Sequence, residues 1–370
     1  MPRLLFIVAE SGYFISHRLS LALEAQKQGY TVAVATSSTK NFNHDKSLLE
    51  NHGIRVFGTP FSRTSLNPLK DLPTLIELYR AYKAFKPDII HNVALKPVLY
   101  GSFIAKMCCV SQIVNAVAGL GYVFISDNPK AKLLRWILRP LLQYALKNTH
   151  IIVQNQDDQH TIASWLQQKA KTRIHLILGA GVNIDVFSPA QKLAYNQTIT
   201  LIARMLWSKG IREVIEVARL LKQSHPQAII QLVGAPDIQN PDHVPKHLLK
   251  KWHEEGLIRW LGARKDIADI YRNSQIALLP SYREGLPKSL LEAMACGLPL
   301  VTTDAPGCKE LIDGNGILVP VKDSKAVYVA LITLLEDNSL CQKMGARSRE
   351  RALSTYSEEI IHRRSLSVYT

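Results

Sequence analysis

Hydrophobic and polar positions follow two alternating patterns along this chain: short apolar runs of strand length, and longer segments in which apolar residues recur with the period of a helix. Such alternation is typical of parallel sheets covered by helices, so we predict an α/β fold in two halves. The predicted strands lie near 3–9, 30–36, 54–57, 88–91, 112–116, 149–154 and 174–178, then near 198–203, 228–233, 257–261, 275–279, 298–302 and 316–319. The predicted helices lie near 15–28, 70–85, 97–109, 129–147, 156–168, 210–223, 265–272, 287–296 and 323–337, and residues 340–370 are also helical in pattern. A polar, turn-rich stretch predicts the domain linker at 182–197.

The pattern around Glu284 organises the second half. An apolar run, Gln275 to Leu279, predicts a buried strand, and Pro287 suits the first position of a helix that ends at Gly297. Glu284 and Glu292 then flank a helix N-terminus, whose free N–H groups and dipole favour an anion. A ligand with phosphate in its middle and hydroxyl-rich groups at both ends fits this arrangement, which indicates a nucleotide-sugar. The alternative is a solvated ion pair between Lys288 and Glu292, four residues apart.

Other polar residues follow predicted strands, where ligands of doubly wound sheets bind. Arg204 and Lys209 follow strand 198–203 and could clamp a diphosphate, or each could be a surface charge. Gly12 follows the first strand and would allow close approach of a ligand. His17 and Arg18 could bind a phosphate of an acceptor, or could belong to a solvated helical turn.

Two further loops of the first half carry candidate residues. His91 ends strand 88–91, so that it could reach into a cleft or be a core residue, and Lys96 follows it. The glycine-rich loop containing Gly119, Gly121 and Tyr122 suits close contact with a ligand, although packing alone could also require these glycines.

Composition and charge limit the cellular compartment and the classes of partner that are compatible with this chain. The 370 residues are 47% hydrophobic and 20% charged, which is ordinary for two globular domains. We expect no membrane-spanning helix and no signal peptide, and five cysteines without a CxxC motif predict a reducing compartment. Residues 1–180 hold 21 Lys and Arg against 10 Asp and Glu, whereas residues 181–370 hold 24 against 20. This excess of positive charge predicts that the first half binds an anionic partner: nucleic acid, a phosphorylated acceptor or a membrane surface. Helix 129–147 is both basic and apolar, and could pack under the sheet or lie on a membrane.

Several motifs are absent from the sequence. The D-x-D motif, whose carboxylates bind a metal ion, is absent, so cationic side chains would have to neutralise a diphosphate. The sequence also lacks G-x-G-x-x-G, G-x-x-x-x-G-K-[ST] and G-x-S-x-G, which disfavours nicotinamide-binding, kinase and hydrolase interpretations.

Taken together, these residues resemble a known family. The C-terminal group resembles family 4 glycosyltransferases of the GT-B fold; its members are Arg204, Lys209-Gly210, Val233-Gly234, Trp260 to Gly262, Asp266-Ile267 and Ser281 to Ala293. A second group is similar to bacterial enzymes that extend undecaprenyl-diphosphate-linked glycans for O-antigen, capsule or protein glycosylation. Its members are Lys96-Pro97, Tyr100-Gly101, Gly119 to Phe124, Gln154 to Asp158, Gly179 to Asn183 and Pro306 to Cys308.

The resemblance implies roles for the candidate residues. Glu292 would bind the ribose hydroxyls, and Arg204 and Lys209 would neutralise the leaving diphosphate. Glu284 would hold the donor sugar with the backbone of Gly285, Leu286, Pro287 and Lys288. Gly12 would admit the diphosphate from the other domain, and His91 is the candidate cleft histidine. His17, Arg18, Lys96, Gly119, Gly121 and Tyr122 are the candidates for acceptor binding.

The resemblance also implies an architecture and a reaction. Two doubly wound Rossmann-like domains would face each other across a cleft: 1–182 for the acceptor and 197–354 for the nucleotide-sugar, with 355–370 crossing back to the first domain. The enzyme would be retaining and metal-independent, without a cofactor. It would move an N-acetylhexosamine or a hexose from a UDP-sugar to a lipid-diphosphate-linked saccharide at the inner, cytoplasmic face of an anionic cell membrane.

Two alternatives remain at this point. One is a UDP-sugar 2-epimerase on a similar scaffold, which would convert a UDP-sugar without an acceptor. The other is a nucleic-acid-binding protein that uses the basic half, although the sequence lacks aromatic-rich basic patches and we expect no nucleic-acid partner.

Overall fold

Two parallel sheets contain the thirteen strands found within the residues that the computed structural model describes, which are 1–38, 42–61, 71–120, 129–166, 173–191 and 196–370. The chain divides into two compact units. Unit 1 is Met1–Ala180 with Ile361–Thr370, and unit 2 is Gly181–Ile360. Residues 182–197, predicted as a linker, therefore fall in unit 2, and residues 355–370 are shared between the units.

Unit 1 contains a seven-stranded parallel sheet in the order β3-β2-β1-β4-β5-β6-β7. Its strands are β1 (Arg3–Val8), β2 (Thr31–Ser37), β3 (Arg55–Thr59), β4 (Ile89–Val93), β5 (Gln112–Val117), β6 (His150–Val153) and β7 (Ile174–Leu176). Its helices are α1 (Ser11–His17), α2 (Leu19–Lys27), α3 (Phe42–Asn51), α4 (Leu72–Phe85), α5 (Leu95–Met107), α6 (Pro129–Leu146) and α7 (Gln156–Trp165).

Unit 2 contains a six-stranded parallel sheet in the order β10-β9-β8-β11-β12-β13. Its strands are β8 (Thr198–Ile202), β9 (Ile229–Val233), β10 (Arg259–Trp260), β11 (Ile276–Leu279), β12 (Leu300–Thr303) and β13 (Gly316–Val319). Its helices are α8 (Ile211–Ser224), α9 (Lys246–Glu254), α10 (Ile267–Arg272), α11 (Lys288–Ala295), α12 (Ser324–Glu336) and α13 (Asn338–Arg351), and α14 (Glu358–Leu366) begins in this unit and ends in unit 1.

The core of unit 1 lies on both faces of its sheet because the strand side chains that point to either face are apolar. On one face, Phe6 and Phe14 pack with residues from α2 and α3. The end of α14 and the segment after it complete this face, since Leu366 and Tyr369 are buried in the same cluster. A backbone carbonyl of that segment, at Val368, accepts a hydrogen bond of 2.7 Å from the Gln112 side chain.

The structure differs from the sequence prediction in three helices. The predicted helix 15–28 is two helices, α1 and α2, with Arg18 between them. Helices α3 and α9 were not predicted. Within the described ranges, none of the helices combines the length and the hydrophobicity needed to cross a membrane.

Candidate active site

The loops after β8 and β11 meet because the strand order of unit 2 reverses between these two strands. In the sheet, β8 pairs with β9 on one side and with β11 on the other. Doubly wound sheets bind ligands in the crevice outside the carboxyl ends of two such strands. Arg204 and Lys209 follow β8, and Glu284 follows β11, so the fold brings these predicted residues to one edge.

Lys209 and Glu284 form an ion pair through Nζ and Oε1, and both side chains are largely buried. Two backbone features hold the pair in place. The Tyr282 N–H donates to the Ser208 carbonyl at 2.9 Å. Gly210 has φ +76°, and a Cβ there would lie 2.2 Å from the Pro280 carbonyl oxygen, so only glycine permits this approach of the two loops.

A third loop, which follows β12, contacts the backbone of Glu284. The Glu284 N–H donates to the Pro306 carbonyl at 2.9 Å. Gly307 has φ +85°, and a Cβ there would lie 2.4 Å from the Glu284 carbonyl oxygen. The neighbouring Cys308 thiol is buried beside this loop, and burial raises its pKa to about 12, so it stays protonated. The backbone that carries Glu284 is therefore fixed on two sides.

Arg204 is half-exposed and forms an ion pair with Asp237, from Nη1 to Oδ2 at 2.6 Å. The loop that carries Asp237 is brought close by Gly234, whose φ is +140° and whose missing Cβ would lie 1.8 Å from the Ala203 carbonyl oxygen. Asp237 was not predicted from the sequence, since no motif marks a carboxylate in this loop.

Glu292 lies on α11, whose N-terminus begins directly after the Glu284 loop. Pro287 is the N-cap residue of this helix, and no side chain forms a hydrogen bond to the cap. Leu286 and Pro287 are buried, and Gly285 is partly buried. The Lys288 ammonium lies 3.9 Å from the Glu292 carboxylate, and both side chains are largely buried, so the pair is not the solvated one considered above. Burial raises the pKa of Glu292 to about 7, an effect that Lys288 opposes and that the charge of Glu358 reinforces.

In unit 1, the candidates after β1 occupy different environments. Gly12 is exposed, and a Cβ there would meet no atom within 4 Å, so the backbone is open to close approach. The His17 ring stacks on Tyr13 with centroids 4.2 Å apart. Arg18 is only 5% exposed, so it does not lie on a solvated turn. Its Nη1 donates to the His17 carbonyl at 3.0 Å, and its Nε is buried without a hydrogen-bond partner.

His91 does not end its strand, because β4 continues to Val93. The side chain is buried against Phe6, with ring centroids 5.0 Å apart, and its Nδ1 lies 2.5 Å from the Tyr369 hydroxyl. Its Nε2 has no hydrogen-bond partner. Burial, and secondarily the charge of Arg18, hold the pKa of His91 well below its usual range. The structure therefore places His91 in the core of unit 1, as a neutral imidazole.

The remaining candidates of unit 1 lie in α5 and after β5. Lys96 Nζ donates to the buried Asp71 carboxylate at 2.9 Å, and Tyr100 donates to the same carboxylate at 2.6 Å. Gly119 has φ +97°, a conformation that favours glycine. Gly121 and Tyr122 lie outside the described residues. Across the described part of the chain, no group of three His, Cys, Asp or Glu side chains could hold a metal ion.

Comparison with known proteins gives two family matches that together cover most of the chain. Residues 188–351 match the family described as glycosyl transferases group 1. Residues 3–156 match the family described as glycosyl transferase 4-like.

Among curated relatives, the chain is 32% identical to the Campylobacter jejuni subsp. jejuni N,N'-diacetylbacillosaminyl-diphospho-undecaprenol alpha-1,3-N-acetylgalactosaminyltransferase, over 87% of each chain. It is 26% identical to an Escherichia coli UDP-Gal:alpha-D-GlcNAc-diphosphoundecaprenol alpha-1,3-galactosyltransferase, over 78% of this chain and 76% of that one. Among solved structures, Anabaena Alr3699/HepE in complex with UDP-glucose matches with a TM-score of 0.80 at 20% identity, over 100% of this chain and 99% of that one.

Proposed function

This chain belongs to the glycosyltransferases and has the GT-B fold, and on that premise we propose that it transfers a sugar from a UDP-sugar to a saccharide carried on undecaprenyl diphosphate. The sugar is an N-acetylhexosamine or a hexose. Two observations support this choice of substrates: the relatives named above act on diphospho-undecaprenol saccharides, and a solved neighbour holds UDP-glucose.

The observation that carries the proposal is the convergence of Arg204, Lys209 and the N-terminus of α11 at one edge of the unit 2 sheet. The leaving group in sugar transfer from a UDP-sugar is a diphosphate, whose negative charge grows in the transition state. Preorganised cations and backbone N–H groups at that point stabilise this charge most effectively when they are largely withdrawn from water. Lys209 meets that condition, since its side chain is only 15% exposed.

Lys209 can serve the diphosphate without releasing Glu284. An ammonium has three N–H donors, and the ion pair uses one of them. A carboxylate can accept several hydrogen bonds, so a hydroxyl of the donor sugar would bind Glu284 beside the backbone from Gly285 to Lys288. The ion pair would therefore align the sugar and the diphosphate with respect to each other.

Glu292 is proposed to bind the ribose. Its carboxylate is largely buried at the second turn of α11, where two oxygens could accept from two vicinal hydroxyls. Such hydrogen bonds favour the ionised carboxylate, so the bound nucleotide would lower the pKa that burial raises.

We propose a retaining reaction in which the acceptor hydroxyl attacks on the face that the diphosphate leaves. Glu284 is the nearest candidate for a nucleophile, but its ion pair with Lys209 suits binding better, since a carboxylate so paired is a weak nucleophile. Arg204 and Lys209 supply the positive charge that a metal ion supplies in other sugar transferases. We accordingly propose that transfer needs neither a metal nor a cofactor.

The acceptor is proposed to bind unit 1. The excess of Lys and Arg in residues 1–180 suits a lipid diphosphate at the inner face of an anionic membrane, where the enzyme would be peripheral. Arg18 is the strongest candidate for contact with phosphate in this unit, since its buried guanidinium has no hydrogen-bond partner at Nε. A buried cation without a complete set of partners is costly, and an anionic ligand would offset that cost.

The test is release of UDP from a panel of UDP-sugars, with and without an undecaprenyl-diphosphate-linked saccharide, in buffer containing a chelator. We expect UDP only when donor and acceptor are both present, and an α-linked product. Conversion of a UDP-sugar without acceptor would favour the 2-epimerase instead. Arg204→Ala and Glu292→Ala should abolish transfer while the protein stays folded, and full turnover by both variants would contradict the proposed site.

A further inference from the structure

Helix α6 has an apolar face that the core of unit 1 does not use. Its inner side is buried through Leu142, Ala145 and Leu146, which pack with residues from β5 and β6. Its outer side carries five large hydrophobic residues that are 46–77% exposed, and we call this set the α6 outer face: Leu133, Trp136, Ile137, Leu141 and Tyr144.

The spacing of these five residues is helical, with intervals of three and four, so they form one stripe along the helix. Helix α5 packs against α6 and also carries exposed hydrophobic residues, Phe103 and Met107. Scattered exposed hydrophobic residues need no explanation, but a contiguous apolar patch on a protein surface marks an interaction site.

The charges around the α6 outer face indicate the partner. Helix α6 contains four Lys or Arg residues and no Asp or Glu over its 18 positions. Lys132 and Arg139 are exposed beside the outer face. At the end of the helix, Lys106 and Lys147 line a cavity of about 390 Å³ together with Tyr144. An apolar stripe bordered by cations, with Trp and Tyr on it, is the pattern of a helix that lies in the interface of an anionic bilayer.

We propose that the α6 outer face docks unit 1 on an anionic lipid bilayer, with Trp136 and its apolar neighbours in the interface and Lys132, Arg139 and Lys147 at headgroup phosphates. This inference deepens the proposed function, on which it rests for the lipid-linked acceptor. A second copy of the chain fits the face less well. A symmetric dimer would oppose two helices that each carry four cations and no carboxylate, and like charges across an interface disfavour association.

The experiment measures binding of the full chain to vesicles of phosphatidylcholine, with and without about one third phosphatidylglycerol, by flotation at two salt concentrations. We expect binding to the anionic vesicles that weakens with salt. Trp136→Ser with Leu141→Ser should lower that affinity about tenfold, because less apolar surface enters the interface. Lys132→Gln and Arg139→Gln should each lower it about fivefold on anionic vesicles and reduce its dependence on salt.

The matched control is Ile238→Ser, since Ile238 is 79% exposed but lies in unit 2, far from α6 in the sequence. It should bind vesicles like the wild type. Equal loss in this control, or no binding of the wild type to anionic vesicles, would overturn the proposal. So would a wild-type dimer that Trp136→Ser dissociates without any change in vesicle binding, because the face would then join two copies.

Sugar transfer is measured separately, with donor and lipid-linked acceptor in detergent micelles. The α6 variants should keep wild-type turnover there and lose it when the acceptor is supplied in vesicles. If the wild type binds vesicles but transfers no sugar in micelles, the proposed function fails while the docking surface stands. If transfer in micelles is normal but the α6 variants bind vesicles as the wild type does, only the docking surface fails.

Discussion

Lys209 donates a hydrogen bond to the Glu284 carboxylate, although 75 residues separate them in the chain. The two residues follow β8 and β11, which are neighbours in the sheet where the strand order reverses. Gly210 and Gly307 remove the side chains that would keep their loops apart. The order of strands in the sheet thus brings Lys209 and Glu284 together, and the effects of their ion pair on stability and activity can be measured.

Lys209→Met should destabilise the protein and abolish transfer. The substitution leaves the Glu284 carboxylate largely buried without its cation, at a cost of about 1–3 kcal/mol in the free energy of unfolding. Loss of a charge aimed at the leaving diphosphate should lower kcat by about 100-fold or more. Urea denaturation and UDP release measure the two effects.

A double variant separates these effects. Lys209→Met combined with Glu284→Gln removes the stranded charge, so it should recover most of the lost stability but none of the activity. Strictly additive losses of stability in the double variant would show that the two side chains do not interact.

Arg204→Ala should affect catalysis far more than stability. Its pair with Asp237 is half-exposed on the Arg204 side, and exposed ion pairs contribute at most about 1 kcal/mol. Transfer should fall by about 100-fold or more in kcat/KM, while Arg204→Lys should recover only part, since an ammonium cannot bind a diphosphate through two parallel N–H groups. Asp237→Asn is the control: it keeps Arg204 and should leave transfer within about tenfold of the wild type. A larger loss would mean that Asp237 itself contacts substrate.

Gly307→Ala should weaken donor binding through the backbone of Glu284. The new Cβ would lie 2.4 Å from the Glu284 carbonyl oxygen at φ +85°, so the loop must move, at a cost of roughly 2–4 kcal/mol. Gly314→Ala is a matched control, because Gly314 has φ +73° but its Cβ would meet only the Arg347 side chain, at 4.0 Å. That variant should lose only about 1–2 kcal/mol from the left-handed backbone and bind UDP-glucose normally. Thermal shift with UDP-glucose compares the two variants.

The raised pKa of Glu292, about 7, makes stability and donor binding depend on pH. The carboxyl takes up a proton more readily in the folded state than in the unfolded state, so its burial cost is absent below the unfolded pKa of about 4.5. The cost grows as pH rises and is complete above about 7, where it is on the order of 3 kcal/mol. Glu292→Gln should therefore gain stability over the wild type at pH 8 but not at pH 5, as measured by urea denaturation.

Donor binding should show the opposite trend with pH. If ribose hydroxyls bind the ionised Glu292, UDP-glucose affinity rises from pH 5.5 to pH 7.5 and binding releases a proton. UDP-glucose is the suitable probe because its diphosphate has no proton to titrate in this range. Calorimetry in buffers of different ionisation enthalpy measures the proton. A wild-type profile as flat as that of Glu292→Gln would remove Glu292 from the ribose site.

His91 should make the protein less stable in mild acid. Its folded pKa is far below that of an unfolded histidine, about 6.5, so the folded state resists protonation. The stability it contributes is present above pH 6.5 and falls as pH drops below that value, by up to about 1.4 kcal/mol per pH unit. Urea denaturation between pH 5 and pH 7.5 should show this slope in the difference between the wild type and His91→Gln, a comparison in which the opposite contribution of Glu292 cancels. Tyr369→Phe, which removes the partner of Nδ1, should cost about 1 kcal/mol at all these pH values.

The sequence predicted the strands of both units and placed Arg204, Lys209 and Glu284 in loops at one edge of a sheet, because parallel strands are continuous apolar runs and their carboxyl-end loops share that edge. It missed two short helices that bury few residues. Helix α3 has ten residues and buries only Leu49, and α9 has nine residues and buries only Leu249 and Trp252.

Side-chain environments that depend on contacts between residues far apart in the chain could not be predicted from the sequence either. A solvated helical turn was one interpretation of Arg18, yet this side chain is only 5% exposed. The strand of His91 was predicted two residues too short, which moved the histidine from the core to the strand end. Asp237 and Glu358 act on Arg204 and Glu292 across long separations that no spacing rule covers.

Residues 361–370, which comprise most of α14 and the segment after it, give unit 1 an unusual order of assembly during translation. Residues 361–370 supply part of its core, including Leu366 and Tyr369, while residues 181–360 form unit 2. A ribosome therefore releases the whole of unit 2 before unit 1 can close its sheet face and pair His91 with Tyr369. The unit whose synthesis begins first therefore completes its core last, and the sheet face that Leu366 and Tyr369 cover stays open until then.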